Sequence, residues 1–150
     1  MKITEVTYGT KEYQSLLDFR YINLRKPLNL QWSSEDLDNE QNQIHCALFI
    51  NNQIHGSCLI KSENNKVIRI RQMAISKEFQ KKGYGKKLLV FAESLALKKK
   101  ITKIIITARL SALEFYQKSG YKVIGEKFID VTVESIKMVK IIKNDEEKLY

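Results

Sequence analysis

The sequence predicts an α/β domain organised on a mixed sheet, and three observations carry that prediction. Six segments rich in β-branched or alternating apolar residues fall at Ile44–Ile50, Gln53–Lys61, Val67–Ile75, Lys103–Ala108, Tyr121–Phe128 and Ser135–Ile142. Stretches with helical apolar spacing precede the first of them and lie on either side of the fourth. A glycine-bearing turn joins the third strand to the longest helical stretch. At 150 residues the chain suits one domain with one core, spanning 1–150, with an ordered body over 1–142.

Tyr13, Leu16, Leu17, Tyr21 and Leu24 fall on one helical stripe. Pro27 ends that helix, because its ring removes a donor and crowds the preceding turn. From Asn29 to Gln43 the chain is polar, and Ser33-Ser34-Glu35-Asp36 has the composition of a helix start. Asn51-Asn52 tolerates the positive φ of a tight hairpin. Pairing Ile50 with Gln53 sets His45 opposite Cys58 and Leu48 opposite His55. Asn64-Asn65 marks the next turn. Leu88, Leu89, Ala92, Leu95 and Ala96 give a helix Gly85–Lys100 with one buried stripe. Lys98-Lys99-Lys100 suit the negative end of its dipole. Ser111 is placed to cap a last helix with Ala112, Phe115 and Tyr116 on its core side, and Gly120 to end it. The tail Lys143-Asn144-Asp145-Glu146-Glu147-Lys148 reads as frayed.

Hydrophobic residues make up 43% and charged residues 29%, the balance of a soluble globular chain. No apolar run approaches the roughly 20 residues of a membrane span. The start Met1-Lys2-Ile3-Thr4-Glu5 lacks an apolar signal core, so a cytoplasmic location is the default expectation. The formal net charge is +9. Lysine is scattered, arginine is scarce and no aromatic residues alternate with the basic ones, so a solvated lysine surface explains the charge better than nucleic acid does. An anionic cofactor or an acidic acceptor suits the same sign. Cys46 and Cys58 are expected on opposite faces of the hairpin, which argues against a disulfide and agrees with a reducing compartment.

Gln80-Lys81-Lys82-Gly83-Tyr84-Gly85-Lys86 lies between a strand and a helix. Such a turn points several unpaired N–H groups at one spot, and the helix dipole adds positive potential there. Gly83 and Gly85 let backbone approach an oxygen-rich ligand, while Lys81, Lys82 and Lys86 add charge. The segment fits neither the P-loop pattern nor the dinucleotide fingerprint, which needs glycine where Leu88 stands. An ordinary glycine turn capping a helix accounts for these residues equally well.

Gln80-x-x-Gly83-x-Gly85, so placed, resembles the Q/R-x-x-G-x-G/A motif of the GCN5-related N-acetyltransferases, the GNAT superfamily. Ala108-Arg109-x-x-Ala112-x-x-Phe115-Tyr116-x-Lys118-x-Gly120-Tyr121 resembles that family's second conserved stretch, and Gln72-Met73-Ala74-Ile75 its central strand entering the loop. Together these cover about half the chain, in the family's order. The resemblance implies the acyl-CoA N-acyltransferase fold, a mixed, mostly antiparallel sheet with splayed strands flanked by helices. It implies acetyl-CoA as cosubstrate, with its diphosphate on the amides of Lys81 to Lys86 and its pantetheine arm along Met73, Ala74 and Ile75. Gln80, Tyr84, Arg109 and Lys118 enter the cofactor-binding set through the same motifs. Gln72 breaks the face shared by Ile68 and Ile70, so a bulge is expected near Gln72-Met73. Two departures stand out. Many members carry Asn where Arg109 stands, and Glu134-Ser135 replaces a Pro-His pair of one variant C-terminal pattern.

The implied reaction is direct attack of a primary amine on a thioester, with no covalent enzyme intermediate. Positioning supplies most of the rate enhancement, and N–H groups near Ile75 are candidate oxyanion donors. Tyr116 is the candidate general acid for the departing thiolate, since a phenol of pKa ~10 is protonated at neutral pH. Packing with a satisfied hydroxyl is the competing role for that side chain. Glu126, Asp130, Glu134 and His45 are bases by type, and none is assigned. His45, Cys46, His55 and Cys58 lack the ligand set of a zinc site, so no metal is expected. Neither cysteine lies near the loop in sequence, which disfavours covalent catalysis. Arg69 and Arg71 share a strand face that suits either an acidic acceptor or solvent. The same motifs also fit a non-catalytic acyl-CoA-binding sensor. Pairing through the late strands is compatible with a homodimer.

Overall fold

The computed structural model describes residues 1–32, 37 and 39–142. The expected helix start at 33–36 and the expected frayed tail at 143–150 lie outside the described residues. Seven strands are β1 Lys2–Val6, β2 Ile44–Ile50, β3 Gln53–Ser62, β4 Val67–Ile75, β5 Lys103–Arg109, β6 Lys122–Asp130 and β7 Val133–Ile141. Three α-helices are α1 Lys11–Arg20, α2 Tyr84–Lys98 and α3 Leu113–Lys118. The strand order is β1-β2-β3-β4-β5-β7-β6. β4 and β5 pair in parallel, while β1–β2, β2–β3, β5–β7 and β6–β7 pair antiparallel. The mixed, mostly antiparallel sheet is the one the resemblance implies. No described helix is long and apolar enough to cross a membrane.

The chain divides into two compact units. The first comprises Met1–Lys61 and Arg71–Ala92. Its β1 is a strand the sequence reading missed, because Lys2–Val6 buries only Val6 and carries little apolar signal. Thr10 caps α1 by accepting from the Tyr13 N–H at 3.2 Å. Phe19 and Arg20 are buried on this helix, whereas Leu17 and Tyr21 on the expected stripe are half-buried. The path continues through a π-helical turn, Tyr21–Arg25, and a 3-10 turn, Lys26–Leu28, which holds Pro27. Val6, Tyr13, Leu16 and Ala47 form a core cluster under Leu17, Phe49 and Ile54.

A buried polar network sits beside that cluster. Arg20 is fully buried and grips Glu40 with both terminal nitrogens, at 2.8 and 2.6 Å. The Tyr13 hydroxyl donates to the same carboxylate at 2.8 Å. His45 Nε2 donates to the Glu40 carbonyl at 2.8 Å, which fixes its tautomer. Burial opposes charge on Glu40, but the bidentate arginine overrides it and holds the carboxyl below its ordinary range. Burial pushes the His45 imidazole down and, with the Glu40 hydrogen bond, the Tyr13 phenol up. Arg20 and Arg25 both stack on the Trp32 ring, at 4.9 and 4.6 Å from its centroid.

The β2–β3 hairpin turns at Asn51 and Asn52, both at positive φ, and Ile50 pairs with Gln53 as expected. Its deeper register differs from the sequence expectation. A bulge between Leu48 and Phe49 leaves His55 as the extra residue, so Leu48 pairs with Gly56 and His45 with Leu59. The observed register suits a residue without a side chain at 56. A Cβ on residue 56 would stand 2.9 Å from Ile75 Cδ1 and 3.0 Å from Leu48 Cβ, so only glycine fits opposite Leu48. The shift also corrects the cysteine placement. Cys46 and Cys58 are direct cross-strand partners on one face, both buried thiols. A hydrogen bond with Cys46, together with burial, pushes the Cys58 thiol up.

The second unit comprises Ser62–Ile70 and Glu93–Tyr150. β5 buries Ile104, Ile105 and Ile106 in succession, the pattern of a strand covered on both faces. Its parallel register with β4 runs from Val67↔Lys103 to Ile70↔Ile106. β7 pairs along β5 from Lys103↔Ile141 to Arg109↔Ser135, and β6 pairs outside β7. α2 ends at Lys98, with Leu88, Leu89, Ala92 and Ala96 buried as expected and Leu95 half-buried. Ser111 does not cap a helix. A 3-10 turn, Leu110–Ala112, precedes α3, whose N-cap position is Ala112. Gly120 at φ 95 ends α3 as expected.

Two outcomes follow for stability. Glu40→Gln leaves a buried arginine without its anion and lowers the unfolding free energy by about 3–5 kcal/mol in urea titrations. Because folded Glu40 titrates below the free residue, the wild-type advantage is full above pH about 4.3 and fades as pH falls through the folded value. Gly56→Ala forces Ile75 or Leu48 aside and costs about 1–3 kcal/mol in the same assay.

Candidate active site

The first unit carries the end of β4 and the turn into α2. Gln72 takes φ 54 at the position where the sequence suggests a bulge, and its carbonyl accepts from Ser57 Oγ at 3.0 Å. Met73, Ala74 and Ile75 follow, all half-buried. A 3-10 turn, Lys77–Phe79, then leads to Gln80, whose side-chain amide donates to the Ile75 carbonyl at 2.9 Å. That bond closes the turn on the strand that feeds it. Lys81 has φ 61 and Gly83 φ 89, and a Cβ at Gly83 would meet nothing within 4 Å. Alternating backbone handedness of this kind lets successive N–H groups converge in an anion-binding nest.

Helix geometry supplies the rest. Lys87 N–H donates to the Gly83 carbonyl at 3.2 Å, which makes Gly83 the residue at the helix threshold. The N–H groups of Tyr84, Gly85 and Lys86 precede the first bond of that ladder and have no intrahelical acceptor. The first turn of α2 holds no acidic side chain, so no carboxylate of its own offsets the dipole. Lys81, Lys82, Lys86 and Lys87 are exposed around it. Lys82 leans over the Phe79 ring and Lys87 over Tyr84, each with Nζ 5.7 Å from the centroid. These residues fit a diphosphate. They offer converging donors, positive potential and backbone that no side chain shields.

Sequence reasoning missed a support beneath this turn. His55, displaced by the hairpin bulge, packs on Phe79 at 4.5 Å between centroids. Its Nδ1 lies 3.0 Å from Ser76 Oγ and 3.7 Å from Glu78 Oε1. Its carbonyl accepts from the Ser76 N–H at 2.9 Å. Phe79 meets Tyr84 edge-on at 5.8 Å. The bulge sets Gly56 opposite Leu48, where a Cβ would crowd Leu48 and Ile75, and a packing contact of that kind leaves no pattern in sequence.

The second unit carries Arg109, Tyr116 and Lys118. Arg109 ends β5 and is half-buried. Tyr116 is buried on α3, edge-on to Phe115 at 5.0 Å and to Tyr121 at 5.8 Å. The Tyr121 hydroxyl donates to Glu93 at 2.9 Å, and Lys140 Nζ reaches the same carboxylate at 3.0 Å and the Ser119 carbonyl at 2.9 Å. These bonds hold the end of α3 and thereby the orientation of Tyr116. Lys118 points outward to Glu114 at 2.9 Å, and that hydrogen bond holds the exposed Glu114 carboxyl below its usual range.

The other singled-out residues have defined partners. Arg69 binds Glu63 at 2.8 Å and Thr107 Oγ1 at 2.9 Å, while Arg71 binds Gln43 at 3.0 Å. His45 is buried against Glu40. Glu126, Asp130 and Glu134 are exposed. No group of three or more His, Cys, Asp or Glu able to hold a metal occurs among the described residues.

Residues 22–142 match the family described as an acetyltransferase (GNAT) domain. The fold is similar to that of an acyl-CoA N-acyltransferase from Pseudomonas aeruginosa, with a TM-score of 0.79 and 15% identity over 93% of this chain and 98% of that one. It is similar to an aminoglycoside 6'-N-acetyltransferase complexed with coenzyme A, with a TM-score of 0.79 and 17% identity over 96% and 98% of the two chains. A GNAT family acetyltransferase from Elizabethkingia anophelis with acetyl-CoA bound gives 0.73 and 21% over 94% and 97%. A glycine turn and an unsatisfied helix start in one unit, and the held aromatic helix in the other, thus stand in a chain that belongs to the GNAT acetyltransferase family.

Proposed function

We propose that this chain is an N-acetyltransferase that moves an acetyl group from acetyl-CoA to a primary amine by direct attack. The observation that carries the reading is the start of α2. Converging N–H groups, positive φ at Lys81 and Gly83, and a first turn free of carboxylates suit the diphosphate of coenzyme A. Relatives of the same fold with coenzyme A or acetyl-CoA bound support that choice of ligand.

In this reading the N–H groups from Lys81 to Lys86 bind the diphosphate, and Gln80 and Arg109 help shape the cofactor site. Met73, Ala74 and Ile75 offer backbone to the pantetheine arm. Lys118, turned outward to Glu114, serves the outer rim. The cosubstrate supplies an activated acetyl thioester. N–H groups near Ile75 polarise its carbonyl. The new nitrogen–carbon bond replaces the carbon–sulfur bond. Tyr116 holds the proton that the leaving sulfur takes up, and water takes the proton the amine gives up. The contacts of Tyr121, Glu93 and Lys140 keep the tyrosine ring in place. Direct attack is supported by the cysteines. Both are fully buried, and Cys58 is held as the neutral thiol, so neither suits an acyl carrier. His45 is similarly unsuited to act as base, since it is buried with Nε2 committed to Glu40.

Calorimetric titration with acetyl-CoA is expected to show binding that weakens with salt. Gly83→Val places a β-branched residue at φ 89 and is expected to weaken it at least about tenfold. Unaltered affinity in that variant removes the turn from the binding site. Tyr116→Phe is expected to lower kcat by about 10²-fold or more on an active amine, with the far-ultraviolet circular dichroism unchanged. Unchanged kcat across the pH range removes Tyr116 from the acid role.

A further inference from the structure

Ser76 stands at the N-cap of the 3-10 turn Lys77–Phe79, yet its hydroxyl makes no capping bond to that turn. Serine at a helix N-cap ordinarily spends its hydroxyl on the first free N–H groups. Here Ser76 Oγ lies 3.0 Å from Nδ1 of His55 instead. The exposed Glu78 carboxylate stays 3.7 Å from the same nitrogen, beyond hydrogen-bond reach. The two residues are joined a second time, by the Ser76 N–H donating to the His55 carbonyl at 2.9 Å. His55 is the extra residue of the β2–β3 bulge, and a bulge re-aims the side chain it displaces. Ser76 is also a pivot. Its carbonyl accepts from the Phe79 N–H at 2.9 Å. The Phe79 ring meets both His55 and Tyr84, at 4.5 and 5.8 Å between centroids. Tyr84 is the first residue of α2. A continuous line of contacts therefore runs from His55 to the helix start within one compact unit.

We propose that His55 is a positioning residue of the cofactor turn. Its hydrogen bond to Ser76 sets the angle at which the chain leaves β4, and so the aim of the N–H groups of Tyr84, Gly85 and Lys86. Those groups hold the diphosphate of acetyl-CoA in the function proposed above, on which this role rests. The backbone bond keeps residue 76 beside residue 55 whatever their side chains are. A single bond still leaves the chain free to swivel about it. The side-chain bond is the second point of attachment, and it removes that freedom. The 2.9 Å bond from Gln80 to the Ile75 carbonyl then closes the turn from its far end. His55 thus acts through Ser76 and Phe79 rather than on the ligand.

Calorimetric titration with acetyl-CoA separates the hydrogen bond from the packing. H55F keeps an aromatic ring against Phe79 but has no group for Ser76. H55N gives up the ring but carries an amide where Nδ1 stood, able to donate or accept. H55F and S76A are each expected to raise the dissociation constant about fivefold or more, the effect of losing one hydrogen bond. The double variant H55F/S76A is expected to bind no more weakly than the weaker single variant, because both changes remove the same bond. H55N is expected to stay within about twofold of wild type. Packing alone predicts the reverse order, with H55F tight and H55N weak. That order overturns the proposal, as do an H55N as weak as H55F and a double variant whose losses multiply. If H55F unfolds by circular dichroism, S76A decides alone, since it leaves the ring and the backbone bond in place. Affinity of S76A within about twofold of wild type then overturns the proposal. A folded wild-type protein that binds no acetyl-CoA overturns the proposed function and this role together, whereas wild-type binding that H55F and S76A leave intact overturns this role only.

Discussion

An α-helix cannot bond its own first N–H groups, and the start of α2 leaves those of Tyr84, Gly85 and Lys86 without an intrahelical acceptor. Three features act together. Gly83 brings the backbone round at φ 89, Gln80 ties the turn to the end of β4, and the first helical turn omits the carboxylates that usually complement the dipole. That combination suits an anion between a strand end and a helix start, which is why it carries the function proposed for this chain. The surrounding lysines extend the attraction without shaping the contact, because their side chains are exposed.

The rest of the first unit keeps that turn in place. Gly56 lets Leu48 and Ile75 come close, with Leu88 of α2 the next neighbour of its missing Cβ. The bulge beside it displaces His55, and the displaced ring becomes the floor under Phe79. Farther along the unit, Glu40 gathers Arg20, Tyr13 and His45 into a network in which a buried ion pair is closed by additional hydrogen bonds. Such networks contribute little net stability compared with an apolar core, yet removing one partner is costly. The network ties Tyr13 and Arg20 of α1 to Glu40, and Glu40 to His45 of β2.

Much of this was legible in the sequence where the signal is local. Asn51-Asn52 announced the hairpin turn, the apolar repeat from Leu88 to Ala96 announced α2, and Gln72 announced the distortion at φ 54. The glycine turn was legible because its residues are contiguous. What escaped depended on partners distant in the chain. The hairpin register shifts by one at a bulge, which sets Gly56 opposite Leu48 and against Ile75 and sets Cys46 opposite Cys58. Arg20 carries no sequence signal of its burial, because Glu40, its counter-ion, lies in a segment without apolar periodicity. β1 escaped because it buries a single side chain. Ser111 failed as a cap because the chain leaves β5 in a 3-10 turn before the α-helix begins.

The central claim is that a diphosphate rests on the N–H groups at the start of α2. Amide chemical shifts of nitrogen-15-labelled protein, followed while coenzyme A is added, address those groups one by one. The account predicts that the resonances of Gly83, Tyr84, Gly85 and Lys86 move most and saturate together. Saturable binding that leaves these four unmoved while other amides shift would contradict it.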